Sequence, residues 1–340
     1  MSKFQAPQKS TTGTQPRLSI GIPVYNGEKF LGELLTSLRE QTFNDFEIVI
    51  CDNASMDETE KICKEYAALD SRIRYHRNET NIGANRNFNK VFQLSTAPLF
   101  KWAACDDLYE PTYLEECVKI LDQNPDAIGA HSPPLYVNAR RQPFIFDRAT
   151  GLYSDPQTGV QIAGKPITGG ERRFAFVRFM DVLFNSLYCH EILGSVFRRS
   201  VFERSRLLSP DFYGADHTLV LELILFGRYL NIKEGLFIKR YHNKMSAALS
   251  ADEVKDWVNP RSRGYWRPLR LFLSYLTTPI GKPIGIFSKL ICFAVVCAYG
   301  LRFLPIVSLR SVGILRVSPN ERIAALGTRP SSASQAEALK

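Results

Sequence analysis

The sequence predicts an α/β protein built on a mostly parallel central sheet and continued by a helical C-terminal extension. Three observations carry this. The first hundred or so residues alternate strand-like and helix-like segments four times, a pattern that implies parallel strands joined by right-handed crossovers. Polar loops follow the strands at Tyr25-Asn26, Asp52-Asn53 and Asp106-Asp107. All three therefore fall at one sheet edge, where proteins of this class bind ligands. Beyond about residue 246 the alternation gives way to aromatic, basic and long apolar stretches.

The elements follow in order. Leu18 to Val24 runs apolar, with Ile20 and Ile22, and breaks at Pro23-Val24-Tyr25-Asn26-Gly27. Phe30, Leu31, Leu34, Leu35 and Leu38 then share one helical face. Phe46 to Cys51 is a second strand ending in Asp52-Asn53, and Ser55 with Glu58 has the spacing of a helix capping box. A helix with Ile62, Tyr66 and Leu69 leads to a short strand, Ile73 to His76. The polar loop Arg77 to Asn81 passes through Gly83 into a helix carrying Phe88, Val91 and Phe92. The run Pro98 to Cys105 reads as a buried strand that stops at two adjacent carboxylates, Asp106 and Asp107.

Adjacent carboxylates repel and resist burial unless they are paired, hydrogen-bonded or metal-bound. A divalent cation carrying a polyanion is the functional reading; a solvated turn capping the helix near Thr112 is the plain one. In the second half, Thr112 to Gln123 is an amphipathic helix and Ala127 to His131 a strand. Pro133 to Gly170 reads as variable loop with a hairpin. Phe174 to Leu187 regains helical spacing.

Composition bounds the function. Of 340 residues, 45% are hydrophobic and 23% charged, as in ordinary globular proteins. The net charge of +9 leans toward anionic partners such as nucleotides, phosphates or acidic lipid. No RNA-binding or zinc-finger signature is present, so nucleic acid is not an expected partner. The 7 cysteines lack C-x-x-C spacing, which favours a reduced, cytoplasmic setting over a disulfide framework. The absence of G-x-G-x-x-G, of a P-loop and of a G-x-S-x-G elbow argues against dinucleotide, P-loop and serine-hydrolase chemistry.

Four segments in register, Ile22-Pro23-Val24-Tyr25-Asn26, Asp52-Asn53-Ala54-Ser55-Met56-Asp57, Asn81-Ile82-Gly83-Ala84-Asn85-Arg86-Asn87 and Cys105-Asp106-Asp107, resemble the family 2 glycosyltransferases. The resemblance implies a GT-A fold and inverting transfer of a sugar from a nucleotide-diphosphate donor, with Mg2+ or Mn2+ as cofactor. It implies that Pro23, Tyr25, Asn26, Asp52, Asn53, Arg86 and Asp106 bind the donor. Asp107 would ligate the metal, with Asp106 and His242 as further metal candidates. Lys239, Arg240 and Lys244 would supply positive charge to the leaving diphosphate.

Ile192 to Arg199 resembles the family's strand before the catalytic helix. In Tyr213-Gly214-Ala215-Asp216-His217, Asp216 stands where the family places its general base, and a capping role for it is the alternative. His217 is the local rival as base. Two departures accompany the match: Ala104 replaces a further Asp found in many members, and Ala215 replaces a Glu.

The implied organisation is a leader at 1–16, expected to be disordered, then a glycosyltransferase domain at 17–246. That domain divides into a nucleotide-sugar half at 17–110 and an acceptor half at 111–246. A helical extension at 247–327 and a disordered tail at 328–340 complete the chain. Trp257 to Arg270 mixes Trp, Tyr and Arg as membrane interfaces do, and Ile284 to Leu304 is the most apolar stretch. Helices lying in or on a membrane are the favoured reading, before soluble helices packed on the core or in a homo-oligomer, and before a true span.

The expected enzyme works at the inner face of a membrane. Its acceptor is a glycan or a lipid-linked hydroxyl. A sugar nucleotidyltransferase and an inactive GT-A scaffold are the rival readings.

Overall fold

A computed structural model describes residues 15–163, 170–184, 192–210, 214–242, 245, 253, 257–258 and 267–311, with side chains up to residue 301. Most of the expected leader and the whole tail at 328–340 lie outside the described residues. The main sheet has seven strands: β1 (Leu18–Val24), β2 (Phe46–Asp52), β3 (Ile73–Arg77), β4 (Leu99–Trp102), β6 (Ala127–His131), β11 (Val196–Arg198) and β12 (Arg228–Asn231). Their spatial order is β12-β6-β11-β4-β1-β2-β3. Every pairing is parallel except those of β11, which runs antiparallel to both β4 and β6. The sheet is α/β and mostly parallel, as expected.

The helices α1 (Leu31–Arg39), α2 (Thr59–Leu69), α3 (Ala84–Leu94) and α4 (Tyr113–Gln123) are the first crossovers and cover the sheet. β1 and β2 are buried along their whole length. Strands covered on both faces must be apolar throughout rather than alternating, which is why Leu18–Val24 reads as a continuous run. The helix α3 lies directly on β1. A Cβ at Gly21 would sit 2.1 Å from Val91 Cγ1 and 3.0 Å from the Phe100 ring. Overpacking of this kind costs about 1–3 kcal/mol. Gly21→Ala should therefore lower the thermal midpoint; an unchanged midpoint would mean that α3 does not approach β1 so closely.

Two small sheets accompany the main one. One joins β5 (Leu108–Tyr109), β13 (Phe237–Tyr241) and β7 (Pro134–Asn138), with β13 in the middle. The other joins β8 (Ile145–Asp147), β9 (Leu152–Ser154) and β10 (Gln161–Ala163) in antiparallel order. The stretch expected as loop with a hairpin is thus a three-stranded sheet plus β7. Its strands are too short, and too exposed at β8, to leave a clear alternation.

The second half adds α5 (Ala175–Phe184), α6 (Arg199–Glu203) and α7 (Ala215–Leu223), then the extension helices α8 (Arg267–Thr277) and α9 (Ile286–Ser311). Tyr275, Cys292 and Val296 of the extension belong to the same buried cluster as Phe179, Leu219 and Phe202. Glu222 of α7 is fully buried and holds the extension by polar contacts as well. Arg206 Nε reaches it at 3.0 Å and Lys282 Nζ forms an ion pair with it. Ser274 donates to Thr218 at 3.1 Å. Among the described residues no helix is long and apolar enough to cross a membrane.

Three local expectations are corrected. α2 starts at Thr59, so Ser55 and Glu58 do not form a capping box. Ser55 Oγ accepts from Asn26 N instead, and Asp57 Oδ1 accepts from Thr59 N. Asp216 is not an N-cap, because Gly214 takes that place with a φ of 92°. The strand expected from Pro98 to Cys105 ends at Trp102, and residues 103–107 are free to turn.

Candidate active site

The C-terminal ends of β1, β2 and β4 meet at one edge. Val24 lies opposite Asp52 and Gly21 opposite Trp102, and the Ala103 N–H continues the ladder to Gly21 O at 2.9 Å. The loop after β1 is tied to the loop after β2. Asn26 has a φ of 52°, a conformation Asn tolerates better than most residues. Its Oδ1 accepts from Met56 N at 2.9 Å, Gly27 N donates to Thr59 Oγ1 at 2.8 Å, and Glu28 N donates to Asp57 Oδ2 at 3.0 Å. Asn26 is thus a loop brace, and Tyr25 beside it is left exposed. Pro23 stays within β1, paired with Cys51.

Asp52 is buried. Its oxygens accept from Ser55 N at 2.8 Å, Tyr75 Oη at 2.8 Å and Arg77 Nη1 at 2.7 Å. A carboxylate offers about four acceptor positions, and three are filled here. Asn53 is engaged on both sides of its amide. Its Nδ2 donates to Asn81 Oδ1 at 2.7 Å, while its Oδ1 accepts from Asn78 Nδ2 and Ile82 N. It fixes the 78–83 turn, whose Gly83 opens α3 with a φ of 83°. Asn78 also donates to Asn87 Oδ1, and Asn87 donates to Cys51 O.

Arg86 stands in the first turn of α3, half-buried. Its neighbours Asn85 and Asn89 donate to Ser209 O and Leu208 O, both at 2.7 Å. That clamp draws the segment leading toward α7 against α3. Asp216, in the first turn of α7, is half-buried. Among the described residues no hydrogen bond or ion pair joins it to Asp106, Asp107 or His242.

Those three residues do come together. His242 Nε2 lies 2.9 Å from Asp106 Oδ2, and Arg240 N donates to Asp107 Oδ1 at 3.3 Å. Arg240 lies in β13, which pairs with β5, and His242 is the residue just past its end. Arg240 holds this segment in place. Its guanidinium bonds Glu33 Oε2 at 2.7 Å and Asp106 O at 3.1 Å, and stacks 4.4 Å over the Phe30 ring. Phe30 in turn meets the His242 ring at 4.8 Å. Desolvation, and secondarily the Asp106 charge, push the Asp107 carboxyl above the usual carboxylate range, while Lys239, Arg240 N and Lys101 pull the other way.

Sequence reasoning missed the support beneath the pair. Lys101 is fully buried, with its Nζ 3.8 Å over the Tyr109 ring and 3.2 Å from Trp102 O. Desolvation lowers its pKa to about 7, against the weaker pull of Cys117 and Asp107. His131, also buried, has both ring nitrogens without a hydrogen-bond partner among the described residues. Burial and the Lys101 and Lys239 charges lower its pKa to about 3, so it is neutral. The only sequence signal for Lys101 was a cation inside an apolar strand.

The Lys101 shift has a measurable sign. Between pH about 7 and its ordinary 10.5 the unfolded chain binds a proton that the folded chain has released. Stability from this group therefore rises with pH across that window. Lys101→Met should flatten the slope in urea unfolding followed against pH; an identical slope would mean that Lys101 keeps its proton when folded.

Residues 19–204 match the model of Glycosyl transferase family 2. An uncharacterized glycosyltransferase of Haemophilus influenzae is 23% identical over 243 residues, covering 71% of this chain and 70% of that protein. An uncharacterized glycosyltransferase of Rickettsia felis is 36% identical over 117 residues, covering 33% of this chain and 19% of that one. A further relative, from Bacillus subtilis, is matched over 55% of its length. Among solved structures, Staphylococcus aureus TarS 1-349 in complex with UDP-GlcNAc superposes with a TM-score of 0.60. It is 15% identical, and the match covers 84% of this chain and 73% of TarS. At that identity the likeness is one of fold.

Proposed function

This chain belongs to glycosyl transferase family 2, and from that premise we propose that it moves a sugar from a nucleotide-diphosphate donor to a hydroxyl of a glycan or lipid-linked acceptor, with inversion, at the cytoplasmic face of a membrane. The single observation that carries the reading is the Asp106-Asp107 pair. It follows β4 in the turn beyond Trp102, in contact with His242 and Arg240, while Asp52 and the Asn26 loop follow the neighbouring strands β2 and β1.

The donor chemistry of that pair fits a hard divalent cation. Mg2+ is commonly held by one or two carboxylates, with substrate phosphates and water completing its shell. Among the described residues no three acidic, His or Cys side chains are grouped to hold an ion by themselves, and the donor's diphosphate would complete the shell. Asp107 would be the ligand, with Asp106 and His242 beside it. A desolvated acid next to a second acid is stabilised when a cation arrives. Bound there, Mg2+ or Mn2+ would offset the charge that builds on the leaving diphosphate.

The chain's own residues do the rest. Asp52 would accept from a donor N–H or hydroxyl. Arg86 meets phosphate oxygens. Asp216 takes the proton of the acceptor hydroxyl as its oxygen attacks the anomeric carbon and the carbon–phosphate oxygen bond breaks on the opposite side.

The test is a panel of nucleotide sugars incubated with the protein with and without Mn2+, reading the released nucleoside diphosphate. Metal-dependent release from one donor class is expected. Stabilisation by no nucleotide, with no release from any donor, would favour the inactive scaffold.

A further inference from the structure

The helix α9 buries one face and leaves the other apolar and open. Cys292 and Val296 are buried, and a Cβ at Gly300 would lie 2.3 Å from the Phe272 ring of α8. On the outer side Ile286, Leu290, Phe293 and Leu301 recur at helical spacing and are 73, 61, 53 and 82% exposed. Phe287 widens the stripe. Contiguous exposed apolar surface of this kind marks an interaction site.

Charge names the occupant. Residues 257–320 contain nine Lys and Arg and no Asp or Glu, so the whole net charge of +9 is carried there. The rest of the chain balances, 34 of each sign. Lys289 borders the stripe, and Arg302 and Arg310 follow on α9. A second copy would bring the same excess of positive charge against itself. The chain's own last twenty residues, with two acids and three bases, offer no complement.

We propose that the outer face of α8 and α9 docks onto an anionic lipid surface, lying in the headgroup region with Ile286, Phe287, Leu290, Phe293 and Leu301 toward the acyl chains. An interfacial helix of this kind gains from apolar burial and from attraction of its cations to anionic lipid. The docking extends the catalytic reading but stands on different residues, so either can fail alone.

The experiment is flotation of the full chain with vesicles of phosphatidylcholine, with and without phosphatidylglycerol. Binding to the anionic vesicles, weakened by salt, is expected. Phe287→Asp with Leu290→Asp should weaken partitioning by more than about tenfold, and Lys289→Gln by about fivefold. Release of nucleoside diphosphate in solution should stay unchanged in both. Absence of wild-type flotation, or equal flotation of the double variant, overturns the proposal. So does a dimer that the double variant abolishes without any lipid binding. Should the double variant melt early, hydrogen exchange of wild-type residues 286–301 decides instead: protection by anionic vesicles supports docking, and unchanged exchange overturns it.

Discussion

Asp107→Ala is expected to abolish metal-dependent binding of a nucleoside diphosphate while leaving the fold intact. The carboxyl is half-buried, next to Asp106, and its one hydrogen bond among the described residues is from Arg240 N at 3.3 Å. Its raised pKa means that the metal-free protein holds an acid that does not ionise willingly. For such a group the folded state binds the proton more tightly than the unfolded state. Its contribution to stability is therefore greatest below the ordinary carboxylate range and is lost as pH rises toward the raised value. Alanine removes that penalty, so the variant should be at least as stable as the parent near neutrality, with a flatter pH dependence.

Binding should move the other way. In the proposed role Asp107 would ligate the metal directly, and losing such a ligand would remove several kcal/mol of charge stabilisation, about a hundredfold or more in affinity. Calorimetric titration with a panel of nucleoside diphosphates, with and without Mn2+, reads this directly. Unchanged affinity would remove Asp107 from the metal site.

Asp216→Asn should give the opposite separation: donor binding retained and transfer lost by about 10²–10⁴-fold, the range for removing a general base. The amide keeps the size of the side chain, and among the described residues no hydrogen bond depends on its charge. A defect in turnover with unchanged donor affinity is thus interpretable as chemistry. Near-normal turnover would move the base elsewhere, with His217 the neighbouring candidate.

The sequence exposed the strands and their order of connection because strands buried on both faces are mostly apolar, and Leu18–Val24 and Phe46–Asp52 are so apart from Ser19, Glu47 and the terminal Asp52. Ala127–His131 was legible to the residue for the same reason. The sheet at β8–β10 was not, since its three-residue strands bury too little to impose a period. At the site, the motif residues were visible as polar breaks after strands, but their partners were not. Asp52 depends on Tyr75 and Arg77, and Asp106 on His242 and Arg240, from 23 to 136 positions away. Such pairings are made by the topology, and nothing local in the chain announces them. The capping box at Ser55 shows the converse, a local motif overruled by a distant N–H from Asn26.

The grip of Arg206 and Lys282 on Glu222 bears on how the C-terminal third can be dissected. Cutting the chain before Trp257 would remove Lys282 from a fully buried carboxylate and strip Tyr275, Cys292 and Val296 from the main core. Arg206 would remain as the partner of Glu222, so the loss would fall chiefly on the apolar packing. The damage would fall on the helix that begins with Ala215 and Asp216. A truncated protein that lost both its membrane fraction and its turnover would therefore be a crippled enzyme, and the scalpel for separating address from chemistry has to be a point change on the outer stripe.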